Sequence, residues 1–177
     1  MKARIAILLT LSCTAPAAAD DAMTAAANRF FAVYGSFHPS DGIPAPGGRA
    51  RLAPVLSDRL NKMIADAARA GDRFHARNQG SPPLLEGDLF TSMFEGATSW
   101  KVVDCGPSTK DANVVYCPVA LRHDEPGQKP VAWTDTLYLV AGPGGWRVDD
   151  IGYGGGFAFG NTGRLSETLK SVLMDAQ

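Results

Sequence analysis

The chain is poor in the residues from which familiar sites are built. Its 177 residues include only three cysteines and three histidines. His38, His75 and His123 are far apart, and no two have the i, i+4 spacing of a helical zinc motif. No C-x-x-C dithiol exists. There is no G-x-x-x-x-G-K-S/T phosphate loop and no G-x-S-x-G nucleophile elbow. The stretch "RVDDIGYGGGFAFG", Arg147 to Gly160, is rich in glycine but fails the dinucleotide signature. Around Gly152, Gly154 and Gly156 the third-glycine position holds Phe157 or Phe159, and the stretch follows a strand of a meander rather than of a βαβ unit. An excess of charge is lacking too: 17 Lys and Arg face 18 Asp and Glu, a net charge of −1. Without a basic stripe there is no electrostatic footprint for nucleic acid, and no basic amphipathic segment for a membrane surface. No cofactor and no metal are therefore expected.

What is present begins with "MKAR", a short basic start. "IAILLTL" follows, too short to span a bilayer, and then "APAAAD", where Ala17 and Ala19 suit an A-x-A cleavage site. This predicts a signal peptide over residues 1–19, cut near Ala19–Asp20, and a single domain over 20–177 in the periplasm or secreted. Its removal takes Lys2 and Arg4 and moves the formal charge from −1 to −3. No later stretch is apolar enough to cross a bilayer, so no membrane insertion is expected. Lipid attachment at Cys13 is disfavoured, because Thr10 stands where an aliphatic residue usually precedes a lipidated cysteine.

Export leaves Cys105 and Cys117, an even pair that reads as a disulfide. "SWKVVDC" and "NVVYCPVAL" form two strands around "GPSTKDAN". An antiparallel hairpin centred near Asp111 sets Cys105 opposite Cys117 and Val103 opposite Val119, close enough to bridge.

Helical spacing of Met23, Ala27, Phe30, Tyr34 and Phe37 predicts a first helix over about 21–37. "HPSDGIPAPGG" breaks it. A second helix follows a Ser57 cap, buries Leu60, Met63, Ile64 and Ala67, and ends at a Gly71 cap. Asp58, Arg59, Lys62, Asp66 and Arg69 make its solvated face. Residues 72–97 read as a long irregular segment in which Leu85, Leu89, Phe90 and Phe94 plug the core. Four strands follow, over about 99–104, 114–123, 131–141 and 145–153. In the third, Trp133, Asp135, Leu137 and Leu139 share one face. A last helix over about 164–176 has Asn161 or Thr162 as cap and Leu165, Leu169, Val172 and Leu173 inward. The expectation is an α+β fold: N-terminal helices packed on a curved four-stranded antiparallel sheet, a C-terminal helix, and a cone-like cavity on the concave side.

Four pieces, "FFAVY", "LSDRLNKMIADA", "LLEGDLFTS" and "GGWRVDDIGY", occur in an order that resembles an uncharacterised family of exported bacterial domains. That family is similar to the nuclear-transport-factor-2-like, or cystatin-like, superfamily. The resemblance implies a fold. It carries over no catalytic residues, because the superfamily holds isomerases, dehydratases, binding modules and immunity proteins.

The acids supply the candidates for chemistry. Alternation sends Trp146, Val148 and Asp150 to one face of the last strand and Asp149 to the other, unless a bulge intervenes. An inward Asp150, or Asp88 in "EGDLFTS", would be a desolvated acid or base. The blander reading gives Asp149 and Asp150 to ion pairs at the sheet edge and Asp88 to a turn or cap. Trp146, Tyr153, Phe90 and Thr91 are candidates for a ligand pocket, though aromatics usually fill cores. The sequence favours an exported, non-enzymatic binding domain for a small ligand or a protein partner. The alternatives are a cofactor-free isomerase, dehydratase or hydrolase using Asp150 or Asp88, and an inhibitor or immunity-type protein acting through residues 72–97.

Overall fold

The computed structural model describes residues 16–37, 41–109, 111 and 113–177. Cys13, His38 and most of the expected signal segment lie outside the described residues. Helix α1 (Pro16–Gly35) starts earlier than its apolar stripe predicts. Pro16 is tolerated at a helix start and the alanines after it are strong helix formers. The expected boundary at Ala19–Asp20 thus falls within the helix. Strand β1 (Asp41–Gly42) and helix α2 (Pro46–Leu52), again with proline at its start, occupy the Pro/Gly-rich connection. Helix α3 (Asp58–Arg77) is capped by Ser57, whose Oγ accepts from the Leu60 amide at 3.0 Å. It does not stop at Gly71. One glycine costs a helix only about 1 kcal/mol, and His75 and Arg77 suit the last turn of the longer helix.

Strand β2 (Gly87–Asp88) pairs with β1 in parallel. The main sheet then runs β3 (Ser99–Val102), β4 (Gly106–Pro107), β5 (Val114–His123), β6 (Val131–Gly142) and β7 (Gly145–Gly152), closed by helix α4 (Leu165–Asp175). The sheet is antiparallel with order β3–β5–β6–β7, and β4 adds a short fifth strand beside β5. The fold is α+β, as the sequence indicates.

Cys105 and Cys117 form a disulfide, Cα to Cα 4.2 Å. The hairpin register holds at β4, where Gly106 faces Tyr116, but Val102 rather than Val103 faces Val119. One extra residue between these pairs shifts the register and leaves Val103 exposed.

Helix α1 lies across the sheet, burying Phe30, Phe31 and Tyr34 together with Leu121, Leu137, Leu139 and Ile151. The outer edge of β7 is covered by Val55–Ser57: the Ser57 amide donates to the Val148 carbonyl at 2.8 Å and the Val148 amide to Val55 at 3.0 Å. That removes an open edge that could template aggregation.

Candidate functional site

The adjacent acids on β7 are separated by a bulge. Tyr138 faces Asp150 and Leu139 faces Val148, so Asp149 is the extra residue. Asp150 therefore does not follow Val148 inward. It shares the face of Tyr138, and Ile151 takes the core position opposite Leu137. Asp150 is buried all the same, because the start of α4 covers it. Its carboxylate accepts from the Ser166 amide at 3.0 Å, the Ser166 Oγ at 2.7 Å and the Ile151 amide at 3.0 Å. The Arg164 guanidinium stands 3.6 Å away and stacks 4.0 Å over the Tyr138 ring. Orphan amides and partial positive charge at the start of a helix favour such an anion. Asp150 thus supplies from across the chain what neither Asn161 nor Thr162 supplies locally; Arg164 occupies the N-cap position but its side chain, a donor only, caps nothing.

Asp149 braces the start of α3 through side chains instead. It accepts from Ser57 Oγ at 2.5 Å and from Arg59 Nη2 at 2.7 Å, while Arg59 also donates to the Asp149 carbonyl at 2.6 Å. The bulge turns one dipeptide into anchors for two helices.

Asp88 and Asp135 hold the loops. Asp88 accepts from the Tyr34 hydroxyl, the Phe90 amide at 2.6 Å and Thr91 Oγ1 at 3.3 Å. Burial pushes its carboxyl up to about 7, against the pull of those donors and with the Asp135 charge adding to the rise. Burial and then Asp88 also raise the Tyr34 hydroxyl. Asp135 accepts from the Ser92 amide at 2.8 Å, Trp133 Nε1 at 3.0 Å, the Gly154 amide at 2.8 Å and the Ser92 hydroxyl. Asn161 closes the cluster, donating to the carbonyls of Asp88 at 2.6 Å and Thr91 at 2.7 Å.

These bonds draw residues 153–163 over residues 87–94, and the glycines make the approach possible. A Cβ on Gly154 would sit 2.1 Å from the Thr134 carbonyl, and one on Gly160 would sit 2.2 Å from that of Ser92. The glycine-rich stretch is a packing surface for backbone.

The expected pocket residues lie elsewhere than expected. Phe90 and Thr91 are fully buried. Tyr153 donates to the Leu89 carbonyl at 2.6 Å; burial, and then the charges of Asp88 and Asp135, hold its hydroxyl well above the usual range. Trp146 packs half-buried against the core. Phe94 does not plug the core: its ring lies on Gly87 and is 40% exposed. His123 contacts the Gly96 carbonyl at 2.7 Å. Among the described residues no cluster of three His, Cys, Asp or Glu is placed to hold a metal.

Of several surface pockets of similar volume, two concern these segments, and none of Asp88, Asp150, Phe90, Thr91, Trp146 or Tyr153 lines either. One, of about 400 Å³, lies between α2, α3 and the segment before β2; Ile43, Arg49, Asp72, His75 and Leu85 line it. The other, of about 480 Å³, lies where the two braced loops meet and is walled by Met93, Phe94, Phe157 and Phe159, with Glu86 and Glu95 at its margin. Phe159 is 88% exposed. Sequence reasoning passes over Phe157 and Phe159 because they follow glycines with no period that marks a face. It groups Asp135 with Trp133, Leu137 and Leu139 on one face of β6 but does not single it out, since Ser92 and Gly154 come from distant loops.

The chain resembles the uncharacterised lipoprotein YbjP of Escherichia coli (strain K12), with 28% identity over 139 residues, 78% of this chain and 70% of that protein. No protein-family model and no solved structure matches it.

Proposed function

We propose that the protein is an exported, non-enzymatic binding domain that recognises a protein partner through the pocket of Met93, Phe94, Phe157 and Phe159. One observation carries this reading: the buried acids are occupied by the chain's own donors, while the loops they brace present phenylalanines to solvent. A buried acid or base needs a substrate-facing side to work, whereas exposed aromatics on a fixed frame are what recognition surfaces use. Export is supported by the basic, apolar and small-residue order of residues 1–19, by the disulfide, and by the likeness to a protein named a lipoprotein. Kinship with the nuclear-transport-factor-2-like superfamily is supported by a helix crossing one face of an antiparallel sheet.

A photo-crosslinker replacing Phe159, used in the protein's own cell envelope, should give one defined adduct that Phe94→Ala abolishes. Failure to crosslink from 159, with adducts formed from the pocket beside Asp72 and His75 instead, would refute the assignment. The intact mass of the exported protein separates two forms of export: a chain beginning at Asp20, which the sequence favours, or one beginning at a diacylglyceryl-modified Cys13, as the relative's name suggests.

A further inference from the structure

We infer that the segment seated in the aromatic pocket carries a basic side chain, arginine above all, flanked by apolar residues; the inference rests on the reading of this pocket as a recognition surface. The pocket combines two features that both select a cation. Its walls are the rings of Phe94, Phe157 and Phe159, and its margin carries Glu86 and Glu95, both exposed. Neither glutamate forms an ion pair among the described residues, and no lysine or arginine lines the pocket. A guanidinium is attracted to aromatic faces and pairs with carboxylates through two parallel donors. Lysine, a compact and strongly hydrated charge, uses such a surface less well.

The same charges disfavour other occupants. An acidic segment would meet two carboxylates of like sign. An anionic lipid surface would be repelled, although exposed phenylalanines alone would favour it. A second copy packed by two-fold symmetry would bring four glutamates together with no basic lining residue to offset them.

The frame is set in advance. The Asp88 amide donates to the Phe94 carbonyl at 2.8 Å, and Gly87, with φ of +73°, leaves bare backbone on which the Phe94 ring lies. On the other wall Phe157 packs edge-on against Trp133 at 5.3 Å. A surface held in this way loses little entropy when it binds.

The test uses the exported protein, ¹⁵N-labelled, and three capped pentapeptides: Ala-Leu-Arg-Leu-Ala and its analogues with glutamine or glutamate at the centre. The arginine peptide should perturb the amides of Phe94, Glu95 and Phe159 and bind about fivefold more tightly than the glutamine analogue at low salt, a preference that added salt weakens. Glu86→Gln with Glu95→Gln should erase that preference and leave the glutamine analogue's binding unchanged. Equal binding of all three peptides, or a preference that survives in the double variant, overturns the inference while the aromatic pocket still stands as a recognition surface. If no peptide perturbs the pocket, or if the protein self-associates through Phe159 in a way that Phe159→Ala abolishes, both the inference and the reading beneath it fall.

Discussion

In the two loops that meet beside β6, the acids are inside and phenylalanines are outside. Asp88 is 1% exposed, and so is Asp135 on the strand beneath, whereas Phe94 is 40% and Phe159 88% exposed. The usual preference is the reverse. The difference follows from what each site lacks. Strands and helices satisfy their own amides, but the turns at Phe90, Ser92 and Gly154 have no ladder to join. A buried carboxylate accepts several donors at once and fixes all three amides from two positions. The core is filled by Phe30, Phe31, Phe90 and the strand leucines, and Phe94 and Phe159 stand outside it. The contrast teaches that the acids build this region and the aromatics are left to meet something else.

The largest test of that contrast is Asp135→Ala. It leaves the Ser92 amide, Gly154 amide and Trp133 Nε1 without their acceptor, and equilibrium denaturation should show a loss of about 4 kcal/mol. A loss below about 1 kcal/mol would mean that water replaces the carboxylate at no penalty.

Asp88 gives the next effect, through pH. Its carboxyl in the fold titrates near 7, above the ordinary 3.8, so the folded state holds a proton that the unfolded chain has released. Its contribution is full below about pH 4 and is lost as pH rises through 7, with a steepest slope of about 1.4 kcal/mol per pH unit. The ion-paired Asp66, half-buried, and Asp124, exposed, have lowered values and act in the opposite sense at more acid pH. Urea midpoints between pH 4 and 8 should therefore fall with pH, and Asp88→Asn should flatten the curve. A wild-type midpoint that rises across that window would contradict the assignment.

Smaller again is Asp149→Ala. Its pair with Arg59 is partly exposed, with side-chain exposures of 20% and 47%, and double-mutant cycles should give about 1 kcal/mol. The smallest effect belongs to Phe159→Ala, which should change stability by less than about 0.5 kcal/mol while weakening the binding of the arginine peptide. A loss of stability comparable to that of Asp135→Ala would show that Phe159 belongs to the core after all.

Much of the architecture is legible in local pattern. Alternation along β6 puts Trp133, Asp135, Leu137 and Leu139 on the buried face, and three- and four-residue spacing marks the buried side of α1. The site is less legible, because its contacts join distant positions. Asp135 meets Ser92 across 43 residues, and Asn161 meets Asp88 across 73. Asp150 is misplaced by simple alternation because one bulged residue, Asp149, reverses every side chain after it. Gly71 resembles a cap only when the residues after it are ignored. The glycines at 154 and 160 betray close approach, but not what approaches.

The central claim is that buried carboxylates hold these two loops as firmly as a ladder holds a strand. Hydrogen exchange at the Ser92 and Gly154 amides tests it most directly. The account predicts protection close to that of the β6 amides, lost at both positions together in Asp135→Ala, which removes both acceptor oxygens. Exchange at open-loop rates in the wild-type protein, or protection that survives in Asp135→Ala, would contradict it.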